Sequence, residues 1–371
     1  MKGIWNRVVS ILPKQDWIVV GWSLATKILL FVLAAKSFPA LWDKRQTWRE
    51  LFYNWDRWDA WHYQQIAQAG YSAAGVTKAF YPLYPWTIRV VAFVVDNQFA
   101  AALVVSGIAL IVAVILFRRL AQIDYPASVA LRSVWFLLIF PTAYFLHTSY
   151  TESLFLALAL GCIFAARRDK WWLAGVLGAF CWMTRATGAV LVPTLAVEAA
   201  QQYWVRRRWD WRWLAIAIVP LGFVVYLLIN WHVSGDPFAF LKTRKASFVQ
   251  SFAWPAQGIR EAIGNTHRNP NQAEMVGFEE IYFVAIGLIF TVISWFKLRA
   301  IYATWMTGNL FLFTSVTFLQ SVPRYTLTMF PIFMLLGLFT RDRFWYGTLT
   351  VFSLFFMVLF SLLFTRGWWA F

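Results

Sequence analysis

The sequence predicts an all-α polytopic membrane protein. Three observations carry this. The 371 residues are 60% hydrophobic and only 13% charged, where soluble chains average about 45–50% apolar and about 25% charged. Apolar runs of span length recur along the chain. The basic residues gather in short clusters between those runs: Arg118-Arg119, Arg167-Arg168, Arg206 to Arg208, and Arg341 with Arg343. Together they exclude a disordered chain, a secreted disulfide scaffold and a coiled coil.

The net charge of +16 would point to nucleic acid in a soluble protein. Here its distribution is the positive-inside pattern, and anionic lipid headgroups are the natural partner; no nucleic-acid role is expected. The 24 Trp and 14 Tyr suffice for interfacial belts. Both cysteines, Cys162 and Cys181, lie inside apolar runs and read as small buried residues.

Candidate spans cover residues 17–37, 99–117, 127–146, 149–166, 213–231, 281–296, 300–319, 325–339 and 344–364. The first is expected to be an uncleaved span, because no small-residue cleavage site follows it. The stretch 171–204 would be about 50 Å long as one helix, against a hydrocarbon core of about 30 Å. It carries Thr184-Arg185-Ala186-Thr187-Gly188 and then Pro193, so two short spans with a turn near Arg185 are expected. This gives about eleven spans, and with the N-terminus inside it keeps Arg206 to Arg208 on the inner side.

The chain is expected to be one transmembrane domain over residues 1–371 with two long outer loops, 38–98 and 232–280. Loops of that length are usually functional. In the first, residues 53–69 read as an amphipathic interfacial helix capped by Gly70. Residues 82–95 are apolar but short, and read as a re-entrant or interfacial segment.

On the first of these helices Asp59, His62, Tyr63 and Ile66 share one face. A carboxylate beside an imidazole can act as a general base toward an alcohol; equally, Asp56 and Asp59 can solvate a polar face and pair with Arg57. Glu152 opens a span, where an acid faces a cavity or a partner or simply sits in a favourable helix dipole. Arg185 and Arg324 can snorkel to headgroups or hold a phosphate. Lys242, Arg244 and Lys245 add a basic patch in the second loop, and Lys27 lies mid-span, where it needs a partner. In the eleven-span arrangement Asp59, Glu152, Arg185, Arg324 and both long loops all fall on the outer face. Two acids and several cations around one outward cavity suit a phosphorylated lipid substrate; a transporter or flippase of a lipid-linked saccharide is the alternative, although transporters tend to place such groups at the midplane. Walker A, GxGxxG, HExxH and GxSxG patterns are absent, as is a Cys/His metal cluster. No cofactor is expected and no metal-ligand residues stand out; the sequence leaves metal dependence open.

The segment from Trp58 through Asp59, His62, Ile66 and Gly70 to Tyr71, followed by Ala79-Phe80-Tyr81-Pro82-Leu83-Tyr84-Pro85, resembles the W-D-x-x-H-[FY]-x-x-I-A-x-x-G-Y … A-F-[FY]-P-L-Y-P signature of the glycosylphosphatidylinositol mannosyltransferases that add the second mannose. Tyr150-Thr151-Glu152-Ser153-Leu154-Phe155, Thr184 to Gly188 and Pro323-Arg324-Tyr325 are similar to that family's later elements, in the same order. The resemblance implies a GT-C fold and inverting transfer of mannose or another hexose from a polyprenyl-phosphate sugar to a lipid-linked or exported acceptor. It implies Asp59 as the catalytic base. It makes Arg185 and Arg324 candidates for the phosphate, with Glu152, His62, Tyr81 and Tyr325 as further substrate-binding positions. The chain is shorter than eukaryotic members, which points to a prokaryotic relative in the plasma membrane with its site facing outside.

Overall fold

The computed structural model describes residues 12–42, 46–268 and 277–368. The described residues are almost wholly helical, with one isolated bridge between Phe252 and Val316. Among the described residues, five helical stretches are long and apolar enough to cross a bilayer: Lys14–Ser37, Gln98–Asp124, Trp211–Ser234, Glu279–Lys297 and Arg343–Thr365. They belong to α1 (Lys14–Trp42), α5 (Gln98–Asp124), α10 (Leu221–Ser234) with the 3₁₀ turn before it, α13 (Glu279–Lys297) and α17 (Arg343–Thr365).

Between them lie shorter pieces. The first loop holds α2 (Trp48–Tyr53), α3 (Asp59–Ala69) and α4 (Leu83–Val95). Then come α6 (Ala127–Leu138), α7 (Glu152–Arg167), α8 (Trp171–Trp182) and α9 (Leu191–Arg206). The second loop carries α11 (Ala239–Phe248) and α12 (Pro255–Arg268), and α14 (Ala300–Thr314), α15 (Val322–Leu327) and α16 (Pro331–Phe339) complete the chain.

The sequence reading of 171–204 as two helices holds. The turn at Met183 to Arg185 separates α8 from a 3₁₀ segment, Ala186–Val190, that leads into α9. Gly188 fixes that turn: a Cβ there would lie 2.4 Å from the Trp182 Cα. Other boundaries differ. The helix expected over 53–69 starts only at Asp59, because the backbone breaks at Trp58 with φ +52°. The span expected over 127–146 is helical only to Leu138, two residues before the Phe140-Pro141 pair, where a residue preceding proline is pushed out of the α region. Residues 213–231 are divided by Pro220, and 325–339 by the bend before Pro331. Twelve residues of α6 make only about 18 Å of helix, too short alone for a hydrocarbon core of about 30 Å.

α5 is the axis. α1, α4, α6 and α7 all pack on it, and its residues Ala113, Val114, Phe117, Leu120 and Ala121 are fully buried. At its C-terminal end Asp16 receives Arg118 at 2.5 Å and Arg119 at 2.6 Å. Nearby Arg167 binds Asp124 at 2.7 Å, and Arg299 binds Glu198 at 3.0 Å. Many of the cations expected in inner loops therefore converge on one end of the bundle, and several are neutralised there. α7 runs from Arg167 in this cluster back to Glu152, about 24 Å away along the helix axis.

Close approach of helices substitutes for a hydrophobic driving force in a bilayer. A Cβ on Gly222 would lie 2.0 Å from the Ala179 carbonyl oxygen, and one on Gly175 would lie 2.3 Å from that of Ala215. Both obstacles are backbone, so neither can rotate away. Gly222→Ala is expected to force α8 and α10 apart and to cost about 1–3 kcal/mol, read as a lower unfolding temperature in detergent, whereas Gly21→Ala, with open space around it, leaves that temperature near wild type.

Candidate active site

Four side chains from four parts of the sequence form one continuous ion-pair chain. Asp59 is the first residue of α3, where the helix dipole favours a carboxylate. Its Oδ2 accepts from Arg324 Nη1 at 2.8 Å. Arg324 Nε lies 3.1 Å from Glu152 Oε1. The same oxygen accepts from Arg185 Nη1, which also reaches Thr151 Oγ1 at 3.2 Å. Glu152 is fully buried, Arg185 and Arg324 nearly so, and the Asp59 carboxylate is about a quarter exposed. The chain carries two negative and two positive charges.

Aromatic faces enclose it. The Arg185 guanidinium lies 5.0 Å from the Tyr325 ring centroid, and Arg324 lies 5.7 Å from the same ring. Arg324 also faces Tyr150 at 5.4 Å and Phe145 at 5.6 Å. Phe313 stacks on Tyr325, with ring centroids 6.1 Å apart. Cation–π contacts of this kind gain strength when desolvated.

The ion chain opens into a cavity of about 680 Å³ lined by Asp59, Arg185, Arg324, Tyr325 and Tyr81, among others. This is the size range of small-molecule sites. Tyr81 stacks on Tyr226 at 4.1 Å, and burial pushes its phenol well up, so it stays protonated. The second long loop supplies a further wall: Lys242, Arg244 and Lys245 of α11 line the cavity too. Lys242 pairs with Asp236 at 2.9 Å, and Arg244 donates to Gln250 at 2.6 Å. Among the described residues no group of three or more His, Cys, Asp or Glu side chains could hold a metal ion.

The structure thus brings Asp59, Glu152, Arg185, Arg324 and Tyr325 together, with Tyr81 on the same cavity. His62 stands apart from the lining: its ring packs on Phe80 at 5.0 Å and on Trp61 at 5.3 Å. Asp56 accepts from Gln64 at 2.6 Å and does not line the cavity. Burial raises its carboxyl, opposed by that hydrogen bond and by Arg57. The alternative of Asp59 pairing with Arg57 is replaced by the Arg324 pair, and Arg57 donates to the Thr365 carbonyl at 2.9 Å.

Sequence reasoning missed two supports. Glu280 accepts from the backbone N–H groups of Ser321 at 2.9 Å and Val322 at 2.8 Å, holding the start of the short helix that carries Arg324. The acidic pair Glu279-Glu280 heading an apolar run was the available signal. The wound segment before α7 was read as helix ends, and it turns out to hold the backbone beside Asp59: Thr148 Oγ1 donates to the Trp55 carbonyl at 2.9 Å.

A buried carboxylate, Glu152, is thus held between two guanidiniums that line an aromatic-walled cavity on a helical membrane fold. The fold is the GT-C one. The crystal structure of ArnT from Cupriavidus metallidurans bound to undecaprenyl phosphate matches with a TM-score of 0.53 and 12% identity, over 94% of this chain and 73% of that one. The Archaeoglobus fulgidus oligosaccharyltransferase tethered with an acceptor peptide aligns at 0.45 and 10%, over 94% of this chain and 55% of that chain. No curated protein matches in sequence. The family described as Mannosyltransferase (PIG-V) matches residues 6–230, more than half the chain. The protein belongs to that mannosyltransferase family and is a membrane glycosyltransferase.

Two outcomes follow from the electrostatics. Glu152→Gln removes the carboxylate that two buried arginines share, and is expected to cost about 3–5 kcal/mol, seen as a large drop in unfolding temperature. Burial holds the His62 imidazole below its usual value, with Asp59 opposing, so the folded protein favours the neutral ring. The unfolded chain takes up that proton first as pH falls past about 6.5; this contribution is complete above that pH and lost below it. Between pH 7.5 and 5 the unfolding temperature of His62→Gln should therefore fall less than that of wild type.

Proposed function

We propose that the protein transfers a hexose, mannose by its family, from a polyprenyl-phosphate sugar to a lipid-linked or exported acceptor, with inversion at the anomeric carbon. The observation that carries this reading is the Asp59 carboxylate at the edge of the cavity, 2.8 Å from Arg324. It unites in one place a proton acceptor and a cation for a phosphate.

In this reading the acceptor hydroxyl gives its proton to Asp59, and its oxygen bonds to the anomeric carbon from the face opposite the leaving group. The bond from that carbon to the phosphate oxygen breaks, and the lipid phosphate departs with the electron pair. Arg324 and Arg185 offer that charge preorganised donors. The nearby carboxylate also stabilises an oxocarbenium-like centre. Glu152 holds both guanidiniums in place, and Tyr325 and Tyr81 supply faces for sugar or lipid. His62 acts from behind, by seating α3 on Phe80. The fold likeness to a protein crystallised with undecaprenyl phosphate supports a polyprenyl-phosphate donor.

The placement of the site supports an outward-facing reaction. Glu152 lies at one end of α7 and the arginine cluster at the other, and basic clusters mark the cytoplasmic side. A bacterial or archaeal plasma membrane, with the site on its outer face, fits that polarity.

The test is sugar transfer in isolated membranes supplied with radiolabelled polyprenyl-phosphate mannose. Wild type should form labelled product, and Asp59→Asn at matched protein level should lose at least about a hundredfold in rate. Equal rates in both proteins would remove Asp59 as the base. Label that crosses the membrane still attached to its original lipid would identify a flippase instead.

A further inference from the structure

Asp59 and Arg324 are 265 positions apart in the chain, and one side chain touches the supports of both. Tyr150 is fully buried. Its hydroxyl donates to the Arg57 carbonyl at 2.8 Å, two residues before Asp59. Its ring lies 5.4 Å from the Arg324 guanidinium carbon.

The contact to Arg57 falls where the backbone most needs it. Trp58, between Arg57 and Asp59, has φ +52° and ψ −120°, a combination that costs a non-glycine residue free energy and persists only when its surroundings impose it. On the N-terminal side of that residue the Arg57 carbonyl also accepts from the Ala60 N–H at 3.2 Å, where α3 begins. Thr148 holds the Trp55 carbonyl and Tyr150 holds the Arg57 carbonyl. These two bonds, with the Ala60 bond, brace the turn that places the first residue of α3 on the cavity.

We propose that Tyr150 is a positioning residue for the transfer reaction, setting the Asp59 carboxylate through its hydroxyl and the Arg324 guanidinium through its ring. This deepens the proposed function, since it rests on Asp59 being the base. The two halves of the side chain do separable jobs. Without the hydroxyl, the base loses register while the cation facing the phosphate keeps its ring. Without the ring, both change.

The experiment compares Tyr150→Phe and Tyr150→Leu with wild type, using polyprenyl-phosphate mannose and steady-state kinetics in membranes. Tyr150→Phe should lower kcat roughly ten- to a hundredfold, with KM for the donor within about twofold of wild type. Tyr150→Leu should lower kcat and raise the donor KM as well. Tyr302→Phe is the control: it removes an equally buried hydroxyl, one that donates to Asp124 at 2.8 Å in the far ion cluster, and should leave kcat unchanged.

If Tyr150→Phe keeps a wild-type kcat, raises KM alone, or loses no more rate than Tyr302→Phe, the proposal is overturned. Should Tyr150→Phe fail to accumulate, Thr148→Val removes the companion bond, and the same fall in kcat at constant KM is required of it. Asp59→Asn, run beside these, separates the two readings. Transfer retained in Asp59→Asn refutes the base itself, whereas loss there with normal kcat in Tyr150→Phe refutes only the positioning role.

Discussion

Glu152 places one oxygen between two arginines, Arg324 passes the charge on to Asp59, and no member of this chain is fully open to water. Ions removed from water are tolerated only when each finds a partner and its hydrogen bonds are largely made. That requirement ties the start of α3, the start of α7, the turn after α8 and the helix α15 to a single point. The scaffold around it serves the same end. Glu280 fixes α15 by two backbone N–H groups, and Thr148 fixes the backbone ahead of α3. An apolar core alone would not choose among the many ways these short helices could pack.

The membrane explains why the site is built from broken pieces. A continuous helix satisfies its own backbone and leaves no polar group for a substrate. Irregular backbone at that depth is tolerated where protein buries it or a cavity borders it. Residues 139–151 and 183–185 are such stretches: nearly all are buried, and their ends supply Glu152, Thr151 and Arg185. The long helices α1, α5, α13 and α17 carry no side chain of the ion chain. They form the frame, and their apolar outer faces, such as Val351 and Phe355 on α17, remain exposed to what would be lipid.

Much of this was legible in sequence, for definite reasons. Ionisable residues in a chain this apolar are few, so Asp59, Glu152, Arg185 and Arg324 stood out singly. The alternation of spans then assigned them to one face, and they meet in one ion-pair chain. The turn at Arg185 was visible because one helix there would have been too long. What failed was local. The periodicity of residues 53–69 could not reveal the break at Trp58, because it is braced by Thr148 and Tyr150 from elsewhere in the chain. Nor could it show that His62, one turn from Asp59, packs on Phe80 behind the cavity wall. A shared helix face is wide enough to include both a lining residue and a buried one. Span lengths failed at prolines 141 and 331, where hydropathy averages across a break that the backbone does not.

The neutrality of the ion chain constrains how the proposed reaction proceeds. With two acids and two arginines already matched, an incoming phosphate finds no idle cation among the four. It competes with the carboxylates for Arg324 or Arg185. Of the two acids, Glu152 is sealed from water and Asp59 is the more exposed; releasing Asp59 therefore costs less, because water or an acceptor hydroxyl can solvate it. The exchange that secures the donor phosphate thus frees the carboxylate placed to take the acceptor's proton. The cations of α11 stand across the same cavity, where they lower the energy of a third negative charge during that exchange. Occupying the site with a donor and arming it toward an acceptor become one event, and an empty site keeps its base tied to an arginine.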